Sequence, residues 1–451
     1  MNNERKNNKE KYLKFGCIFQ MRSSLFIMLS LFIIQYSLFI TPLAAMTEIR
    51  DTEIENVLGD YMRPIAEAAE IKTEHVRVRL IADRAFNAFV MGGGDVFLFT
   101  GLIKAVDNPA EIQAIFAHEL GHTDLGHMIT MRMKQRNETT RTLIMQALGV
   151  GLMAANPQAG MGIMMGGAGM GHQGMLAFSR EEERAADEYA VRLMREADIP
   201  ISALLTVFEK MQNAYRERRI NPNAITHPLT EERIRNIRLH IDEDDDRVAE
   251  PCVRLTMVQA KLIGYLDPPE RILILFPESN TGDPAMYART IKHMRLGNTD
   301  TARIGVNELI RRHPRNPYFR ELLGDIEFRA GNFDASIAAY EAALARIDSA
   351  PQMELAMAFV LANRDAEGDR QRAARMALSS MLSERRPMAW LVLARARPEK
   401  HDYYMAEFHL MRRDNRRATE FAQRALRTLP AGSPEAIKAQ DIIDTARQRR
   451  R

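Results

Sequence analysis

Cysteine is almost missing from this sequence: 451 residues contain two, Cys17 and Cys252, alongside a single tryptophan. Two cysteines exclude a disulfide-stapled scaffold. If the segment holding Cys17 is removed, Cys252 stands alone and forms no internal bridge. Stability must then come from packing, from bound metal, or from both. Long apolar runs are also scarce. One spans Leu25 to Ile40. A second apolar stretch, 145–175, is broken by Asn156-Pro157 and by many glycines, so it does not read as a membrane span. A strong charge of one sign is absent, since the formal net charge is +3. With 46% hydrophobic and 27% charged residues, the chain suits a globular protein of two or three domains and excludes wholesale disorder.

The small net charge hides an asymmetry. Residues 285–451 hold 30 basic and 21 acidic side chains, whereas 46–284 carry a net charge of −10. The basic residues are dispersed along helices without interleaved aromatics. They read as a solvated face or, alternatively, as a surface for an anionic partner.

What is present begins with a leader. Lys and Arg dominate the first 22 residues, the apolar run follows, and "TPLAA" closes it. That order is a secretory signal peptide over 1–45, removed after Ala45. The run is slightly long for a signal and short for a span, which needs about 20 residues, so a retained anchor is the alternative. Cys17 is no lipid-attachment site, because Lys14 stands where an apolar residue is expected.

Beyond it, "HVRVRLIA" at 75–82 alternates at period two and predicts a strand. "NAFVMGGGDVFLFTGLI" at 87–103 predicts two β segments around Gly92-Gly93-Gly94. A helix then opens with Asn108 as N-cap, Pro109 in its first turn and Glu111 as capping-box partner. Residues 145–175, rich in Met and Gly, read as a loosely packed hairpin or as a flexible apolar lid. Ser179 and Glu182 cap another helix, "REEERAADEYAVRLMRE", and two more follow on either side of 221–228. A linking region with a few β-prone stretches is expected over 251–284. From 285 onward small residues recur: Gly297, Ala302 and Val306 return 34 residues later as Gly331, Ser336 and Tyr340. Weaker copies hold Gly368, Ala373 and Ala377, then Ala418, Ala422 and Ala425. That period resembles tetratricopeptide repeats, with an irregular helical bundle as the alternative.

The chemistry concentrates in "AHELGHTDLGH", 117–127. Residues four apart share a helix face, so His118 and His122 can aim imidazole nitrogens at one metal. Glu119 beside them can reach a water whose pKa zinc lowers towards about 7. A third ligand is still needed. If the helix continues, His127 faces away from His118, which leaves it a surface histidine or one that touches a ligand instead of the metal. A glycine turn returning a third histidine would need Gly at 125 and His at 128, and this chain has Leu125 and Met128. The other solution is a glutamate on a second helix. "SREEERAAD" supplies Glu183 as ligand and, four residues on, Asp187 to accept an N–H from a ligating histidine. Glu181 and Glu182 compete, but Glu182 is taken by the cap. His227, in "THPLTEERI", is either a packing histidine at a helix entry or a residue near the metal. In the second case it would stabilise an oxyanion, or fill the open coordination position and hold the site latent.

Taken together and in this order, "NAFVMGGGDVFLFTGLI", "AIFAHELGHTDLGH", "SREEERAAD" and "THPLTEERI" resemble the zinc metalloprotease family that includes the mitochondrial Oma-type and CAAX-prenyl proteases. The resemblance implies one Zn²⁺ per chain held by His118, His122 and Glu183, with Glu119 as general base. It also implies that Asn87, Ala88, Phe89 and Val90 edge the cleft, where an extended peptide could add as a strand. The fold class expected is α+β: a mainly helical zincin peptidase domain with a small sheet over 46–250, a connecting region over 251–284, and an all-α tetratricopeptide-like solenoid over 285–451. The implied activity is that of a periplasmic zinc endopeptidase degrading misassembled outer-membrane proteins. Its repeats would recruit clients or the outer-membrane β-barrel assembly machinery. Peripheral membrane contact is open, and nucleic acid is not an expected partner. A chaperone or adaptor with a latent protease site is the alternative.

Overall fold

A computed structural model describes residues 47–72, 75–91, 95–127, 179–218, 227–242, 252–364, 366–383 and 386–448. The leader at 1–45, the Gly92–Gly94 turn and the Met/Gly-rich stretch 145–175 lie outside the described residues.

Alternation builds the sheet. β1 (Glu48–Ile49) leads into helix α1 (Thr52–Ala68), then β2 (Arg77–Ile81), β3 (Ala88–Met91) and β4 (Asp95–Phe99) follow. The four strands lie in the order β1-β2-β4-β3. β2 and β4 run parallel, and β3 pairs antiparallel with β4, so β3 is an edge. Val78, Leu80, Val96 and Leu98 are buried, and all four enter the core. β4 runs directly into α2 (Thr100–Ala105), and α3 (Pro109–Asp124) follows.

α3 is the hub of this half. Nearly every residue from Ala110 to His122 is buried, as befits a helix surrounded on all sides. α1, the sheet, α4 (Arg180–Glu196) and α5 (Ser202–Arg218) pack around it, and α6 (Glu231–Leu239) leans on α4 and α5. Asn108 caps α3 by accepting from the Glu111 N–H at 3.1 Å. Glu111 does not close the expected box on the cap backbone. Its carboxylate accepts from the Asp107 N–H at 3.2 Å and from Lys210 Nζ of α5 at 2.7 Å. Burial of Glu111 calls for a cation, and Lys210 tethers α5 there.

The β-prone reading of 251–284 is corrected: α7 (Val253–Leu266) and α8 (Pro269–Leu275) are helices. Leu255, Val258 and Leu262 recur at helical spacing and enter the core of the N-terminal half, while Met257 enters the core of the following helices. A helix can feed two cores from two stripes, whereas a strand here would need a hydrogen-bonding neighbour that none of the described strands offers. Helix pairs then stack: α9 (Asp283–Arg295) with α10 (Thr299–Arg312), α11 (Pro317–Arg329) with α12 (Phe333–Leu344), and α13 (Pro351–Arg364) with α14 (Asp369–Ser383). α15 (Pro387–Ala396) precedes a further pair, α16 (His401–Met411) and α17 (Asn415–Thr428), and α18 (Pro434–Gln448) ends the stack. The turn inside each pair carries a left-handed residue: Gly297, Gly331, Gly368 and Arg413, with φ of 79, 81, 79 and 59°. Five residues after each stands a fully buried small side chain, Ala302, Ser336, Ala373 or Ala418, where the two helices cross. The repeat is therefore regular in geometry where the sequence copy is weak, and Arg413 replaces the glycine. Among the described residues no helix is long and apolar enough to cross a membrane.

The two halves meet across a buried ionic cluster. Lys261 of α7, 4% exposed, lies 2.8 Å from Asp51, 3.1 Å from Glu53 and 3.8 Å from Glu321 of α11. Asp51 also caps α1 through the Ile54 N–H, and Tyr287 of α9 donates to Glu53 at 2.8 Å. Burial raises the Glu53 carboxyl above its ordinary range despite the Lys261 ammonium beside it. Gln352 of α13 adds a bond to Glu55 at 2.9 Å. Substituting Lys261→Met should lower unfolding stability by about 3–5 kcal/mol, because it strands buried carboxylates. The double variant Lys261→Met/Glu53→Gln should recover part of that loss. Urea titrations of both variants check this, and a single variant within about 0.5 kcal/mol of wild type would contradict it.

Candidate metal centre

Two helices that come unusually close build this site. At Gly121, an added Cβ would sit 2.9 Å from the Ala186 Cα and 3.1 Å from its carbonyl oxygen. α3 and α4 therefore touch backbone to backbone, through a glycine on one and an alanine on the other. His118 and His122 flank Gly121 on α3. Glu183 and Asp187 flank Ala186 on α4. Close approach of the two helix axes brings the four side chains to one point.

At that point His118 Nε2 and His122 Nε2 are 3.2 Å apart. Glu183 lies 3.5 Å from each of these nitrogens, through Oε2 and Oε1 respectively. Zinc bonds of about 2.0–2.1 Å at tetrahedral angles hold neighbouring donor atoms about 3.3 Å apart. Two imidazoles and a carboxylate are also the donor types zinc takes. The residues present thus fit a zinc ion. His227 joins them: its Nδ1 is 3.0 Å from Glu183 Oε1 and its Nε2 is 3.4 Å from Glu119 Oε1. His118, His122, Glu183 and His227 each offer a donor atom within 4.8 Å of the others, and all four are buried.

The surroundings orient these groups. Asp187 Oδ1 is 2.9 Å from His118 Nδ1, the ring nitrogen turned away from the cluster. Arg233, on the first turn of α6, reaches both carboxylates of α4. It grips Asp187 with Nε and Nη2, each at 2.7 Å, and places Nη1 2.5 Å from Glu183 Oε2. Its guanidinium also lies 4.7 Å from the Phe208 ring centroid on α5. Arg233 went unassigned in the sequence although "THPLTEERI" contains it. The signal was indirect: two carboxylates buried on one helix face require a cation, but many arginines in this half could have supplied it.

Charge follows the geometry. Burial alone would raise Glu183, yet His227, His118 and Arg233 hold it well below the usual carboxylate range. Asp187 is likewise lowered, with Arg233 overcoming its burial. For Glu119 burial wins: it pushes the carboxyl up, against His227, His118 and a Val90 backbone hydrogen bond. Burial would lower His118, but hydrogen bonds to Asp187 and Glu183 push it up to about 9. His122 is held far below the ordinary imidazole range by burial and by the neighbouring imidazoles.

The other residues singled out in the sequence separate cleanly. Glu182 closes the capping box with Ser179, through bonds of 2.8 and 3.2 Å, and Glu181 is exposed. β3 lies against α3, and a Val90 backbone hydrogen bond reaches Glu119. Ala88 and Val90 are buried, Phe89 stacks on Phe97 at 4.7 Å, and Asn87 turns its Oδ1 to the Ala88 N–H at 3.0 Å. His127 does not face away. α3 ends at Asp124, Gly126 takes φ of 73°, and His127 returns beside His122, with the two Nδ1 atoms 3.1 Å apart. It meets the far nitrogen of that ring, outside the donor cluster.

Comparison with known proteins agrees with this architecture. The model of peptidase family M48 matches residues 49–241, and a tetratricopeptide repeat model matches 287–354. The chain is 28% identical over 285 residues to a beta-barrel assembly-enhancing protease of Escherichia coli, covering 61% of this chain and 58% of that protein. The protein of the same name in Yersinia pestis is 25% identical, over 68% of this chain and 65% of its own length. Metalloprotease LoiP of Escherichia coli is 29% identical over 43% of this chain and 71% of its own length. The chain thus spans about three fifths of the beta-barrel assembly-enhancing proteases it matches. It carries a domain of peptidase family M48 followed by tetratricopeptide repeats.

Proposed function

We propose that this chain is a zinc-dependent endopeptidase, with one zinc held by His118, His122 and Glu183 and with Glu119 as general base. The observation that carries the reading is the set of donor separations, 3.2 and 3.5 Å, with Glu119 on the same helix turn. Bound zinc would lower the pKa of a water at its open position and polarise a peptide carbonyl. Glu119 would take the proton of the attacking water on its carboxylate and pass it to the leaving amine. Its raised pKa suits that exchange better than an ordinary carboxyl would. Asp187 would fix the His118 tautomer, and Arg233 would keep Glu183 and Asp187 anionic. An extended substrate would lie along β3, pairing with its outer edge beside Glu119.

The names of the matched relatives support a role in outer-membrane protein assembly, and the expected signal peptide supports the periplasm. On this reading the repeats recruit misassembled envelope proteins or the β-barrel assembly machinery, and cleavage follows. A second reading, an assembly chaperone whose protease site is latent, is favoured by one observation. His227 sits within the donor group itself, where it would occupy the open position.

Three outcomes follow. Glu119→Gln should keep zinc while cutting casein cleavage by about 100-fold or more, and retained cleavage would sink the mechanism. If that variant still complements a deletion strain, the chaperone reading gains. His227→Ala should open the fourth position and raise basal cleavage. A fall would assign His227 to oxyanion stabilisation, and no change would remove it from the site. Zinc must displace the proton that His118 holds up to about pH 9. Apparent zinc affinity should therefore rise by about tenfold per unit between about pH 7 and about pH 9, then level off. Chelator competition across that range measures it, and a flat profile would contradict it.

A further inference from the structure

A ligating imidazole uses one ring nitrogen for the metal, so the other carries the proton and needs an acceptor. For His118 the acceptor is Asp187, 2.9 Å from Nδ1. The Nδ1 of His122 has a different neighbour among the described residues. The atom found there is Nδ1 of His127, at 3.1 Å, and both rings are buried. The chain makes a specific turn to put it there. α3 stops at Asp124, the Gly126 N–H bonds the Thr123 carbonyl at 3.2 Å, and Gly126 adopts a left-handed φ of 73°. The rings meet edge to face, with centroids 5.1 Å apart and an angle of 68°. That tilt points one nitrogen at the other instead of stacking the rings.

We propose that His127 is a positioning residue for the metal, a neutral imidazole whose Nδ1 accepts the Nδ1–H of His122 and so keeps the His122 Nε2 lone pair facing zinc. This rests on the zinc reading above. His127 binds no metal itself, since its nitrogen meets the far side of the ligand ring. Each histidine of the pair thus has its own acceptor, a carboxylate on α4 for the first and an imidazole after a glycine turn for the second. The carboxylate is anchored by Arg233, and the imidazole by the turn. A neutral acceptor at the second position adds no further negative charge to a pocket already holding Glu119, Glu183 and Asp187.

Zinc affinity of the full chain, measured by chelator competition, tests this with three variants. His127→Phe keeps a flat ring and removes the acceptor. His127→Leu removes both. His127→Asn places an amide oxygen about where the Nδ1 lies. The Phe and Leu variants should bind zinc about 10–100-fold more weakly, and Asn should stay within about threefold of wild type. Melting temperatures of the zinc-free proteins should agree within about 2 °C, which a packing role for His127 would not allow. Wild-type affinity in His127→Phe would overturn the proposal, as would equal weakening in all three variants together with lower zinc-free melting. His118→Ala separates this from the parent reading. If that variant loses zinc while His127→Phe does not, the positioning role alone fails. If zinc is indifferent to His118→Ala, the metallopeptidase reading fails with it.

Discussion

The site depends on one buried guanidinium. Arg233 lies 4% exposed between Glu183 and Asp187, which are themselves almost wholly shielded from water. Buried without cations, two carboxylates a helix turn apart would take up protons, and a protonated Glu183 or Asp187 could neither bind a cation nor accept from His118. Arg233 keeps Asp187 anionic, and it joins His227 and His118 in holding Glu183 so, and the geometry around His118 follows. The same residue locks α6 to α4 and brings the Pro228 carbonyl within 3.0 Å of its Nη1. It therefore fixes the segment that presents His227. Ligand charge, ligand orientation and the approach of the fourth imidazole all trace back to this contact.

A second ionic contact plays a comparable part at the junction of the two halves. Lys261 of α7 gathers Asp51 and Glu53 from the start of α1 and Glu321 from α11, so α1 of the peptidase domain is tied to both helices. α1 also packs on α3. A continuous run of packed helices thus connects the repeat stack to the helix bearing His118 and His122. In both places a buried cation serves several carboxylates, which makes the geometry specific and the removal of any one partner costly.

Much of this was legible in the sequence because it is local. The strands at 77–81, 88–91 and 95–99 show period-two burial, and Asn108 and Ser179 cap helices through their own neighbouring residues. The repeat stack shows its spacing in Gly297, Gly331 and Gly368. Where local signals ran against tertiary context, the reading failed. Apolar residues over 253–275 fit a strand or a helix, and only the two cores flanking α7 choose the helix. Glu111 has the spacing of a capping-box partner, but burial against Lys210 redirected its carboxylate. His127 would face away on a continuing helix, and the stop at Asp124 reversed it. Arg233 could not be chosen at all, because a charge pair across 46 residues leaves no periodic trace.

By itself, the sequence determined that His118 and His122 share a face with Glu119 beside them, and that Glu183 and Asp187 share another. Those relations follow from the pitch of a helix and need no partner. Only the tertiary structure decided that the two faces meet. That depends on Gly121 lying against Ala186 with no side chain between them, which joins segments about sixty residues apart. It also decided which cation the carboxylates take and which nitrogen His127 meets. These are long-range choices, made by packing density and by the cost of burying an uncompensated charge, and neither quantity is written in the order of neighbouring residues.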